Sequence, residues 1–227
     1  MNLKRFILLL AGLIIAVFAA GCARSPEDAT PTTGTRLIFT MTVAGQINPN
    51  YHYYVAIDTS GTTTPGPLPV VGPPWGNGWG TGNLTHYVVH DSSQPQGYLL
   101  YRISGPDLLF SNPVGPPISF IRPSPGSNYL QFTLDLGQLA TDDMPAADID
   151  LINVNFITTD IIPVDPNYPG PKYYDALGDR GNDFISFSVR TSQVYSNNLL
   201  QIEEPGDVPV NFSDLDIVDW SVEVQVR

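Results

Sequence analysis

From residue 36 onward, apolar and polar positions alternate one for one in segment after segment, the period of an extended strand with one face on a core. Leu37, Phe39, Met41 and Val43 alternate with Ile38, Thr40 and Thr42. Tyr53, Val55 and Ile57 alternate with His52, Tyr54, Ala56 and Asp58. The pattern predicts further strands at Leu84–His90, Tyr98–Ile103, Tyr129–Leu136, Asp150–Ile157 and Phe184–Arg190. It is most regular at the end of the chain, where Val218, Trp220, Val222, Val224 and Val226 share one face and Asp219, Ser221, Glu223 and Gln225 the other. That regularity also predicts a strand able to pair with a neighbouring molecule. Ile118–Ile121 and Leu199–Ile202 read as edge strands, and Thr141–Asp148 holds one helical turn at most.

No segment sustains a helical period. About eight to ten strands bounded by turns describe an all-β, antiparallel β-sandwich, of jelly-roll or immunoglobulin-like type. Proline (22) and glycine (20) punctuate the strands and give it long loops. The strands are too short and the loops too proline-rich for an outer-membrane barrel. The expected organisation is a leader at 1–21, a polar tether at 22–35 and a single sandwich domain at 36–227.

The N-terminus changes the picture from fold to address. Lys4 and Arg5 precede the apolar run Phe6–Phe18, which ends in Ala19-Ala20-Gly21-Cys22. A run this short, closed by small residues, is a signal peptide rather than a membrane span. Cys22 is the chain's one cysteine. The junction resembles the lipobox of bacterial lipoproteins, with Ala19 where that family usually carries leucine. The resemblance covers the first 22 residues and implies that Cys22 is lipidated and becomes the first residue of the mature protein. The alternative is an ordinary cleavable signal with an unrelated thiol. Lipidation implies export and attachment to the cell envelope through acyl chains. Ala23 stands where aspartate would resemble an inner-membrane retention signal, so in a cell with two membranes the outer one is expected.

Charge then narrows the partners. The net charge of −12 becomes −14 once the leader, with Lys4 and Arg5, is removed. Such a surface disfavours nucleic acid and admits calcium or cationic partners.

Catalytic signatures are missing. There is no Gly-x-Ser-x-Gly, no His-Glu-x-x-His and no P-loop. His86 and His90 fall on a predicted strand, where their backbones lie about 13 Å apart, too far to share one ion; both read as structural. Asp142-Asp143 and Glu203-Glu204 are adjacent pairs that point opposite ways on an extended chain. The expectation is a protein that is not an enzyme, with an enzyme whose site is assembled from distant residues as an alternative.

Two stretches retain candidate chemistry. GPPWGNGWGTGN (72–83) sets Trp75 and Trp79 among glycines, and Tyr54 and Tyr174 are further candidate contacts for the same ligand. Aromatic faces beside small residues suit stacking on a sugar ring; the competing reading is a turn whose tryptophans cover an open end of the sandwich. DALGDRGND (175–183) offers the hard oxygens of Asp175, Asp179, Asn182 and Asp183 beside Gly178 and Gly181, either as a solvated acidic turn or as a calcium site that rigidifies loops. By general architecture the domain is similar to carbohydrate-binding sandwich modules of secreted bacterial proteins. That resemblance implies a glycan as ligand, with an envelope-assembly subunit as the alternative.

Overall fold

The computed structural model describes residues 33–92, 96–105 and 108–227. The leader, Cys22 and most of the expected tether lie outside these residues. The end of the tether does not: the Thr33 amide donates to the Asp135 carboxylate at 3.0 Å, and the Thr35 carbonyl accepts from the Leu136 amide at 3.0 Å.

The alternating segment at the start of the domain forms β1 (Arg36–Val43), whose side chains are buried and half-buried in turn. It pairs antiparallel with β14 (Ile217–Gln225) on one side and β9 (Tyr129–Asp135) on the other. With β8 (Ser119–Ile121) and β13 (Gln193–Ser196) at the edges, these make a five-stranded sheet ordered β13-β14-β1-β9-β8. The C-terminal strand therefore has a partner on each side, which corrects the expectation that it offers a free edge. One register shift also changes its inward face. Thr42 opposes Asp219 but Val43 opposes Ile217, so Ile217 enters the core and Val218 is left half-buried in a bulge.

The larger sheet takes the order β11-β10-β2-β5-β6-β7, with β12 also on β10. Its strands are β2 (His52–Asp58), β5 (His86–His90), β6 (Tyr98–Ser104), β7 (Phe110–Gly115), β10 (Leu151–Thr159), β11 (Tyr174–Ala176) and β12 (Ile185–Ser188). A separate hairpin joins β3 (Pro67–Pro69) to β4 (Gly80–Gly82). The fold is thus all-β, antiparallel and sandwich-like, as the alternation predicts. Leu199–Ile202, expected as an edge strand, is instead the end of a short helical turn, Asn197–Leu200, and its exit. Leucine favours helix as readily as strand, and two residues of alternation cannot decide between them.

The two sheets close on one core. From the smaller sheet come Leu37, Phe39, Phe132 and Trp220; from the larger come Tyr53, Val55, Tyr98 and Phe156. Trp220 and Phe156 meet across the interface with ring centroids 5.9 Å apart, and Tyr98 meets Phe132 at 5.6 Å. Each large side chain buried here contributes about 1.5–3 kcal/mol relative to exposure.

A second apolar cluster lies on the opposite face of the larger sheet, where Tyr54, Ala56 and Ile157 pack with Trp79, Leu84 and Ala176. β2 and β10 are consequently buried on both faces, and the polar side chains of their outer set, Asp58, Asn153 and Asn155, are buried along with the apolar ones.

Candidate functional site

The glycine-rich loop that follows β3 lies on this outer face. Trp79 stacks on Tyr54, centroids 4.1 Å apart and planes 7° from parallel. The Asn77 carboxamide oxygen accepts from the amides of Trp79 and Gly80 at 3.0 and 2.8 Å and so sets the turn that brings the ring down. Trp75 is held by a different segment. Its amide donates to the Pro166 carbonyl at 3.1 Å, and its indole N–H donates to the Tyr168 carbonyl at 2.9 Å. That segment, Asp165-Pro166-Asn167-Tyr168, repeats the turn of Asn48-Pro49-Asn50-Tyr51. In each, the first side chain accepts from the amide two residues on, at 2.9 and 3.0 Å.

Both tryptophans are only 5% exposed. The expectation that Trp75 and Trp79 present open ring faces to a ligand is corrected: Trp79 lies in the apolar cluster on the outer face of the larger sheet, and Trp75 is held on the 165–168 turn. Tyr54, beneath Trp79, is buried too. Tyr174 is half-buried under Lys172, whose ammonium lies 5.4 Å from its ring and 5.3 Å from that of Trp75. The same ammonium donates to the Val70 carbonyl at 2.7 Å. Burial lowers the Lys172 pKa to about 8.

What the loop leaves uncovered is a cleft on the same face. Tyr87 of β5 and Tyr101 of β6 stand directly opposite one another in the ladder, rings stacked at 4.9 Å and 12°. Tyr87 also meets Trp79 at 4.9 Å, and its hydroxyl shares a 2.8 Å hydrogen bond with Ser111 of β7. Among the described residues, Tyr101 has ring contact with Tyr87 alone. Tyr51, His52, Tyr54 and Asp91 join this pair around a cavity of about 290 Å³. Burial lowers the His52 pKa against the opposing pull of Asp91 and Asp160. Tyr87, Tyr101 and His52 were not singled out from the sequence. Their signal was an aromatic on the polar-facing side of three predicted strands, legible only once those strands are known to be neighbours.

The acidic stretch is rearranged as well. Asp179, Asn182 and Asp183 are exposed, and the last two line a surface hollow away from Asp175. Asp175 is buried at the edge of the larger sheet and meets carboxylates from another part of the chain. One oxygen each from Asp175, Glu203 and Asp207 lie within 4.8 Å of one another. Asp175 is oriented by the amides of Ala176 and Ile217, at 2.8 and 2.6 Å. Glu203 accepts from the Gly178 amide at 3.0 Å through Oε2, and the Asn197 side chain holds its backbone N–H and C=O at 2.9 and 2.8 Å. Burial first, then the charges of Asp207 and Asp216, hold Asp175 up at about 8 against the pull of the Ile217 amide. Burial first, then Asp175 and Asp207, push Glu203 up to about 9. Among the described residues, no lysine or arginine forms an ion pair with these three.

His86 and His90 lie on the core side of β5 and are both buried. Neither belongs to a group of three or more potential metal ligands among the described residues. No described helix is long and apolar enough to cross a membrane. Comparison of the chain with protein-family models, with curated proteins and with solved structures returned no match.

Proposed function

We propose that the chain is an exported, lipid-anchored, non-enzymatic binding module that takes a glycan into the Tyr87–Tyr101 cleft. The carrying observation is the co-facial tyrosine pair, half-buried on a rigid sheet beside His52 and Asp91. Aromatic faces stack on the C–H faces of a sugar ring, and polar groups at the margin fix its hydroxyls. Strands hold such groups more firmly than a loop does, so little ordering cost falls on binding. The lipobox-like Cys22 supports attachment to the envelope, and the net charge of −12 is poorly suited to anionic polymers.

The test is thermal unfolding of the full chain in detergent across a panel of neutral glycans. A ligand at 100 times its Kd adds about 2.7 kcal/mol of stability. A glycan-dependent rise in Tm, lost in Tyr101→Ala, is expected. A panel without any shift, or a shift unchanged in Tyr101→Ala, overturns the reading.

A second reading, self-association as an envelope assembly subunit, draws support from another edge. Phe110 of the edge strand β7 is 66% exposed, and Val114 of the same strand and Ile121 of the other sheet's edge strand β8 are exposed as well. Light scattering at rising concentration distinguishes the two: a dimer lost in Phe110→Asp favours assembly, and a persistent monomer excludes it.

A further inference from the structure

We propose that Asp175, Glu203 and Asp207 form a calcium site that staples the edge of the larger sheet to the loop leading into β14. The three oxygens lie within 4.8 Å of one another, a span one ion can bridge at calcium–oxygen distances of about 2.3–2.6 Å. An acidic cluster alone would not carry this. The second observation is Glu203, which is 4% exposed, with its Oε1 buried and without a hydrogen-bond partner. A buried carboxylate oxygen with no donor is costly, and here it belongs to a group whose charge is opposed by the carboxylates of Asp175 and Asp207.

The surroundings are built as a ligand set is built. Each buried carboxylate takes backbone amides on the lone pairs that face the protein: Ala176 and Ile217 for Asp175, Gly178 for Glu203. These bonds fix orientation without neutralising charge, the role of partners behind a metal's direct ligands. Asp216, also buried, accepts from the Gly206 amide at 3.0 Å and so holds the turn that presents Asp207. Asp207 is exposed and opens on a cavity of about 330 Å³ that Asp179, Lys172 and Arg180 also line. Water from that side completes the shell of six to eight oxygens that calcium takes. Magnesium, which demands near-ideal octahedral geometry at about 2.0–2.1 Å, fits such a span less well.

The competing source of neutralisation is the proton. Burial and crowding raise the affinity of these carboxylates for one, so the test must separate the two.

The full chain is stripped with EGTA in detergent at pH 7.5 and its Tm followed as Ca2+ is added, with Mg2+ in parallel and Tb3+ as a luminescent probe sensitised by nearby tyrosine. The expected result is a saturable rise in Tm of several degrees with Ca2+, a smaller one with Mg2+, and Tb3+ emission displaced by Ca2+. Glu203→Gln and Asp207→Asn should each weaken the Ca2+ midpoint at least tenfold, while Asn182→Ala leaves it unchanged. Asp207 is exposed, so its variant tests the site even if Glu203→Gln fails to fold. The proposal is overturned by a Tm indifferent to Ca2+, by a Ca2+ response retained in Asp207→Asn, or by acidification alone stabilising a chain to which Ca2+ adds nothing.

Discussion

Tyr54 and Trp79 lie face to face at 4.1 Å, although one is in the second strand and the other in the glycine-rich loop. Their stack covers the part of the outer face formed by Tyr54, Ala56 and Ile157. Trp79→Ala should therefore act as a core truncation, costing about 3–5 kcal/mol. Urea denaturation monitored by circular dichroism checks this; a loss under about 1 kcal/mol would return Trp79 to the surface.

Asn155 holds that face together by hydrogen bonds. Its carboxamide N–H donates to the Pro67 and Asp183 carbonyls, both at 2.9 Å, and its oxygen accepts from the Leu177 amide at 3.2 Å. Asn155→Leu keeps the volume but leaves three backbone groups without their partner. A loss of roughly 2–4 kcal/mol is expected, with faster amide exchange near Leu177. Unchanged exchange there would mean that water replaces the side chain.

The glycines of the loop are not interchangeable. Gly82 has φ +76°, and a Cβ there would collide with the Gly66 carbonyl across the β3–β4 hairpin. Gly76 has φ +54° with open space around it. Gly76→Ala should cost about 1–2 kcal/mol of backbone strain, and Gly82→Ala clearly more. Equal losses in chemical denaturation would refute the collision.

His86 makes the fold sensitive to acid. Burial first, and then the Arg102 guanidinium, lower its pKa from 6.5 to about 3; Arg102 is its direct partner across β5 and β6. Between these values the unfolded chain binds a proton that the folded chain refuses, so stability falls as pH drops below about 6.5. The slope is about 1.4 kcal/mol per pH unit, or roughly 3 kcal/mol by pH 4. Urea midpoints against pH should fall more steeply for the natural chain than for His86→Gln. Parallel curves would show that His86 is not responsible.

The sequence exposed the fold where one face of a strand is wet. β14 was legible because Trp220, Val222 and Val224 alternate with Ser221, Glu223 and Gln225. Its inward set differs at both ends: Val218 gives way to Ile217 at a bulge no periodicity announces, and Val226, beyond the strand, is exposed. β7 went unread because its FSNPVG carries little apolar signal and a proline that suits only an edge. For the candidate sites, residue types were visible and neighbours were not. Asp175 was singled out with Asp179, Asn182 and Asp183 because they are adjacent in the chain; Glu203 and Asp207 reach it through the loop after the Asn197–Leu200 turn. Tyr87 and Tyr101 likewise became a pair only through the register of β5 on β6.

The pairing of β1 with β14 sets Arg36 opposite Gln225, and it imposes an order on biosynthesis. Of the described strands, β1 is made before the others and is central in its sheet, and one of its two neighbours is made after all of them. Until Ile217–Gln225 is available, β1 keeps an open row of backbone donors and acceptors, a template for another unfinished chain. The smaller sheet cannot be completed progressively during synthesis, whatever the larger one does. A chain stopped before residue 217 would be a different hazard from one stopped in a loop. It would retain nearly all the apolar surface of the core together with the unpaired edge meant to close over it.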